Sequence, residues 1–318
     1  MQAALNSGVI AAPVMPFKAD GAADWDTLDR YMARVAAGGV RAIAMNMAAS
    51  EGGSLDPAEQ VEVIRRTRAA VAGSCQVISG VLSTYTAGAR DVARRVVDAG
   101  AQGIVVFPAL PTFVAKPVPV SMIADWHAAI AEAVDVPVLA FQTANAAYPH
   151  GTIAALAKID RLVAIKDAAF DVDRTAELLE EAEPTNIKVL TGNDTFILEA
   201  MLMGCAGALI GFAGTATAQL VRMYDLASAG KITEAYGIWN RLGPLARVCW
   251  RPPLRDYRVR MKYVLMRQGV IPDMAARAPQ PAITDKDRAD IDRVIEKFGL
   301  LGAEFLPDPR SGGLRAAS

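Results

Sequence analysis

Residues 25–47 read WDTLDRYMARVAAGGVRAIAMNM. Trp25, Leu28, Met32, Val35 and Ala36 recur at three- and four-residue spacings, which puts them on one face of a helix. Gly38-Gly39 stops that helix, and RAIAMNM (41–47) follows as a short apolar strand. The same unit then recurs. Asp56-Pro57-Ala58-Glu59 supplies a cap residue, Pro at the first helical position and Glu two residues later, starting a helix that runs towards Gly73 and the strand QVISGV (76–81). Val92, Val96 and Val97 mark the next helix, closed by Gly100 and followed by GIVVF (103–107).

Further apolar runs are VPVLAF (136–141), LVAIK (162–166), IKVLT (187–191) and GALIG (207–211), with VIAAPV (9–14) at the front. None alternates polar with apolar, as expected of strands covered on both faces. Helical segments between them imply βαβ crossovers, and eight such strands in about 205 residues predict an α/β fold, a (β/α)8 TIM barrel. The competing doubly wound sheet has no support from a phosphate-binding fingerprint, since neither GxGxxG nor GxxxxGK[ST] follows any strand. Beyond residue 215 helices dominate: one contains Tyr257, Met261, Val264 and Leu265, and a last one spans Asp285 to Phe298. The expected organisation is a barrel over 1–215, a C-terminal helical appendage over 216–302 packed on it, and a disordered tail over 303–318.

Composition bounds the function. Of 318 residues, 53% are apolar and only 6% aromatic, with a mean hydropathy of +0.23, enough for a large Ala/Val/Ile/Leu core. Lys and Arg total 33 against 34 Asp and Glu, so no excess charge draws nucleic acid or an acidic membrane. The three cysteines (Cys75, Cys205, Cys249) are far apart and fit a reducing compartment. No basic stretch followed by an apolar run opens the chain and no apolar run reaches membrane-spanning length, so a soluble, cytoplasmic protein is expected.

In a barrel, function sits at the C-terminal ends of the strands. The polar residues there are Asn46, Ser50 and Glu51, then Ser83, Thr84 and Tyr85, then Gln142 and Thr143, then Lys166 and Asp167, then Asn193 and Asp194. Lys166 stands out because it closes the apolar run Leu162-Val163-Ala164-Ile165. Burial there lowers an ammonium's pKa, and a neutral lysine attacks carbonyls to form an imine. The bland alternative is a strand-end lysine that reaches solvent or pairs with Glu51 or Asp167.

Several stretches together resemble the dihydrodipicolinate synthase/N-acetylneuraminate lyase family. Ala12-Pro13-Val14-Met15-Pro16-Phe17 with Asp20-Gly21 resembles its opening, and Ala48-Ala49-Ser50-Glu51-Gly52-Gly53-Ser54-Leu55 lies at its Thr-Thr-Gly-Glu loop. Val163-Ala164-Ile165-Lys166-Asp167 is similar to its Schiff-base lysine strand, and Leu190-Thr191-Gly192-Asn193-Asp194 to its strand-7 segment. The similarity runs in order over residues 8–300. It implies a class I lyase (an aldolase, dehydratase or deaminase) acting on pyruvate or another 2-oxo acid, with Lys166 as the imine-forming residue. It also implies that Ala48, Ala49 and Ser50 hold the substrate carboxylate through backbone N–H groups, that Gly192 lies beside the imine, and that Leu209 lines the same pocket. No organic cofactor or metal is implied, and a homodimer or homotetramer is expected.

The departures are as informative. Phe141 stands at the family's relay Tyr, Ala48 at its loop Thr, Leu110 at the Tyr that crosses a subunit interface, and Ala146 at the Arg that grips aspartate semialdehyde. Dihydrodipicolinate synthesis itself is therefore not expected, and with Met47 these replacements point to a bulkier or less charged substrate tail. Acid–base work falls to a water or to another group: Tyr85 and Thr143 first, then Ser50, Asn46 and Tyr148. Glu51 is expected to orient its loop, Asp167 to pair with a neighbouring backbone group or lysine, His150 to sit at a helix N-terminus, and His127 to be surface or packing. The basic run Arg251, Arg255, Arg258, Arg260 and Lys262 reads as a solvated helix face or subunit contact, with one arginine available to an anionic substrate. Two other readings stand beside the lyase. One is a non-catalytic 2-oxo-acid binder of the same fold. The other is a metal-dependent barrel enzyme, for which two histidines make a poor ligand set.

Overall fold

A computed structural model describes residues 5–301, so the stretch 303–318 read as a tail, and Gly302 before it, lie outside the described residues. Eight parallel strands close into a barrel in sequence order. They are β1 (Gly8–Ala11), β2 (Ala42–Met45), β3 (Gln76–Val81), β4 (Ile104–Val106), β5 (Val138–Thr143), β6 (Leu162–Ala168), β7 (Lys188–Thr191) and β8 (Gly207–Ile210). β8 pairs back onto β1 with Ile10 beside Leu209. All eight are almost wholly buried, which is why their sequences lack alternation.

The helices between them are α1 (Trp25–Ala37), α2 (Pro57–Val71), α3 (Thr86–Asp98), the short α4 (Pro111–Val114), α5 (Val120–Ala131), α6 (Thr152–Leu156), α7 (Val172–Ala182) and α8 (Ile197–Met203). α1 buries Leu28, Met32, Val35 and Ala36 against the barrel. α2 begins with a full capping box: the Asp56 carboxylate accepts from the Glu59 N–H while Glu59 returns the favour to the Asp56 N–H. The C-terminal part is α9 (Thr217–Ser228), α10 (Ile232–Trp250), α11 (Tyr257–Arg267) and α12 (Asp285–Phe298). Among the described residues no helix is long and apolar enough to cross a membrane, and Cys75, Cys205 and Cys249 are all free thiols.

The basic run is not a solvated face at Arg260 and Lys262, although Arg255 is exposed. Arg260 is fully buried, donating to Asp287 and to the Cys249 and Arg251 carbonyls, while Arg251 pairs with Asp287 and Asp290. The Asp287 and Asp290 carboxylates that pair with Arg251 and Arg260 lie on α12, some way along the chain. Lys262 is fully buried too, paired with Glu51 and donating to the Ala275 carbonyl at 2.7 Å. α11 is thereby fastened to the loop after β2. Burial pushes the Lys262 ammonium down and the Glu51 carboxylate opposes that shift. His127 is likewise internal, not surface: its Nδ1 lies 2.7 Å from the Ile123 carbonyl, and burial lowers its pKa to about 4.

Candidate active site

Side chains alternate along a strand, so residues 141 and 143 of β5 face the same way as Lys166 of β6, while 142 and 167 face the helices. The barrel pairs Phe141 with Lys166 and Lys166 with Leu190. Lys166 is 8% exposed, and its Nζ lies 4.4 Å from the centre of the Phe141 ring. Phe107 meets Phe141 edge to face at 5.0 Å. Burial drives the Lys166 ammonium below its ordinary value of 10.5, and the negative field of Asp194 partly offsets this. Asp194 is itself pushed up by burial, with its Oδ1 held by the Phe212 N–H at 2.7 Å. An amine in such surroundings exists in part as the neutral nucleophile.

Gly192 follows β7 directly. A Cβ on it would lie 2.5 Å from Lys166 Cε, so only glycine leaves the lysine its present path. The next polar side chain on the Phe141 face is Thr143. Its Oγ1 is buried and meets no hydrogen-bond partner among the described residues. Thr143 also opens a tight turn, because its carbonyl accepts from the Ala146 N–H at 3.0 Å, and Ala146 is fully buried.

On the far side of strand β6, Asp167 accepts from Gln142, the Ala169 N–H, Thr175 and Asn193. Among the described residues it pairs with no lysine. Ser50 is fully buried, its hydroxyl accepting from the Met47 N–H at 2.7 Å and donating to the Met47 carbonyl, so it shapes the loop from within. The Ala48, Ala49 and Ser50 N–H groups have no acceptor among the described residues. Leu209 is fully buried on β8, two residues before Gly211, at whose position a Cβ would touch Ala49 and Trp250.

Some candidates are not brought together with Lys166. Tyr85 is 63% exposed, and its ring folds onto Gly88 at the start of α3. The Tyr148 hydroxyl donates to the Phe141 carbonyl at 2.8 Å, and Asn46 bonds Ser79 and the Gln60 carbonyl. His150 is on the surface against Glu181. Leu110 is half-exposed beside α4. Asp194 is the residue that sequence reasoning left unassigned: it stood among the strand-end polar residues, with no signal of its partnership with Lys166.

A family model described as the dihydrodipicolinate synthetase family matches residues 5–298. The chain belongs to that family. It is accordingly an enzyme of the imine-forming, class I lyases. The 4-hydroxy-tetrahydrodipicolinate synthase of Pelodictyon phaeoclathratiforme is 30% identical over 93% of this chain and 98% of its own length. The enzyme of the same name from Chlorobium chlorochromatii is 28% identical over 93% and 98%. The crystal structure of the chloride-inhibited dihydrodipicolinate synthase from Acinetobacter baumannii complexed with pyruvate matches with a TM-score of 0.83 at 23% identity, over 93% of this chain and 99% of that one. At that identity the likeness is one of fold.

Proposed function

We propose that this dihydrodipicolinate synthetase family member cleaves or dehydrates a 2-oxo acid longer than pyruvate, through an imine on Lys166, and does not carry out the synthase reaction. The neutral Lys166 amine adds to the ketone carbon and water leaves; the iminium then takes the electron pair of the Cα–Cβ bond as a β-hydroxyl gives up its proton and departs as a carbonyl, or that of a Cα–H bond whose proton goes to a base, after which the enamine expels the β-leaving group. The observation that carries this reading is the lysine itself, which is buried against Phe141 and Gly192 with its charged form destabilised. The substrate carboxylate is assigned to the open N–H groups of Ala48 and Ala49. Thr143, whose hydroxyl is unpartnered on the Phe141 face, is the proton carrier in place of the absent tyrosine.

The departure from synthase chemistry rests on Ala146 and Phe141. A fully buried alanine in a closed turn offers no cation to an aspartate semialdehyde carboxylate, and a phenyl ring offers no proton. The apolar pair Phe107 and Phe141 instead suits a longer, less charged tail. The names of the relatives favour a second reading, the synthase itself.

Borohydride reduction in the presence of pyruvate and a panel of longer 2-oxo acids, read by intact mass and peptide mapping, tests the assignment. The expected result is a substrate-dependent adduct on Lys166, absent in Lys166→Ala, with a longer acid trapping best. No adduct with any acid on the folded protein overturns the imine and favours a non-catalytic binder or a different reaction. Consumption of pyruvate only when aspartate semialdehyde is added establishes the synthase reading.

A further inference from the structure

The inward-facing positions of a closed barrel are filled in layers by branched apolar side chains. Gln76 breaks that rule. Val105 pairs with both Leu139 and Gly80, so Gly80, Ile78 and Gln76 of β3 share the axis face with Phe141. Gln76 pairs with Ala42 and Ala42 with Ile10, which puts Gly8 on that face too. Gly8 and Gln76 both lie at the N-terminal end of the barrel, opposite the end that holds Lys166. Gln76 is 8% exposed, and its Oε1 and Nε2 meet no hydrogen-bond partner among the described residues. A buried amide with neither end satisfied costs stability unless something else answers it.

A cleft of about 590 Å³ opens at this end, with Gly8 and Gln76 in its wall. That volume suits a small molecule. Arg41 and Arg68 line it as well. The Arg41 side chain is exposed and meets no acceptor among the described residues. Arg68 gives one nitrogen to the Gln102 side-chain oxygen at 2.6 Å and meets no carboxylate among the described residues. The same Gln102 oxygen accepts the Val77 N–H at 3.1 Å, which ties Arg68 to the strand that carries Gln76. Against these two cations the wall holds one carboxylate, Asp225, and the Cys75 thiol, which burial pushes up to about 11 and so keeps neutral. The cleft therefore carries net positive charge.

We propose that this cleft binds a small oxyanion, a phosphate- or carboxylate-bearing molecule, held by Arg41 and Arg68 with Gln76 meeting its polar body. Guanidinium groups bond oxyanions through charge-assisted pairs of N–H donors. The last torsion of a glutamine side chain is broad, so the amide turns either atom to what sits beside it. The site is separate from the chemistry at Lys166, and its failure leaves that reading untouched.

Isothermal titration at fixed ionic strength, balanced with sodium chloride, takes inorganic phosphate in one arm and succinate in the other. Saturable binding is expected in at least one arm, and that arm names the group the cleft takes. Arg41→Gln should weaken it by about 10-fold or more, since a charge-assisted bond is lost. Gln76→Leu should weaken it by less, about 3- to 10-fold, while its Tm without ligand equals or exceeds that of the parent, because the inward layer gains an apolar side chain. Arg41 is exposed, so its variant remains readable if Gln76→Leu does not fold. No saturable binding in either arm overturns the proposal. Binding that Arg41→Gln leaves unchanged overturns it too, since the anion would then sit elsewhere, and an unaltered affinity in Gln76→Leu overturns the part given to Gln76.

Discussion

Lys166 and Asp167 are neighbours in one strand and live in opposite worlds. Asp167 faces the helices with four donors on its two oxygens, supplied by β5, α7 and the turns after β6 and β7. Every lone pair that matters is used, and a buried carboxylate so held is a fastener. Lys166 faces the barrel axis with an aromatic ring 4.4 Å from its nitrogen, and among the described residues its charge is compensated only by the field of Asp194. A charge left that poorly compensated costs stability, and such costs concentrate where chemistry is done. Two adjacent ionisable residues thus divide the labour, one holding strands together and the other kept reactive by being denied partners.

The sharpest way to break this contrast is to remove each side chain and follow thermal unfolding. Asp167→Ala orphans the buried donors of Gln142, Thr175 and Asn193 together, and should cost about 3 kcal/mol or more. For a chain of this size that is a fall in Tm of roughly 4 °C or more. Lys166→Met should leave Tm unchanged or raised. The sign follows from linkage: the folded-state pKa lies below 10.5, so folding expels a proton the unfolded chain would keep. That penalty is complete below the folded-state pKa and vanishes above 10.5, so the gain from Met should be larger at pH 6 than at pH 10. Equal losses from the two substitutions would show that Lys166 is a structural residue like its neighbour.

A second test stays on the barrel side. If Thr143 carries the proton, Thr143→Val should leave trapping on Lys166 intact and slow the exchange of the pyruvate methyl protons in D2O by about 100-fold, followed by NMR. Unchanged exchange would pass the role to a water or to Asp194.

The barrel was legible because its unit repeats. Amphipathic helix, glycine stop and apolar strand each follow from local periodicity, and all eight strand candidates fall on strands. Lys166 was legible for a related reason, a charge closing an apolar run. What escaped depends on which way a loop turns. Tyr85 follows β3 as a site residue would, yet its ring folds back over Gly88. The Ser50 hydroxyl is taken by a backbone group three residues earlier, a local competition that residue type alone does not reveal. The basic run looked solvent-facing because Asp287 and Asp290 reach it only through the packing of α12. Asp194 was hidden in the same way: its distance from Lys166 in the chain says nothing of the field it exerts across the barrel mouth.

That field gives the smallest effect and the most specific. Asp194→Asn keeps an oxygen for the Phe212 N–H, held at 2.7 Å, and removes only the charge. Asp194 raises the Lys166 pKa against the larger opposing influence of burial, so deleting its charge should lower that pKa further, by about one unit. Imine formation requires the neutral amine. The trapping rate plotted against pH should therefore keep its alkaline plateau and shift its midpoint to lower pH, making the variant faster than the parent near pH 7. An upward shift would contradict the electrostatic account. A midpoint that does not move would mean Asp194 is already protonated when Lys166 titrates, the outcome towards which its own burial pushes it. Whether the midpoint moves thus reports which of the two buried groups holds the proton when substrate arrives.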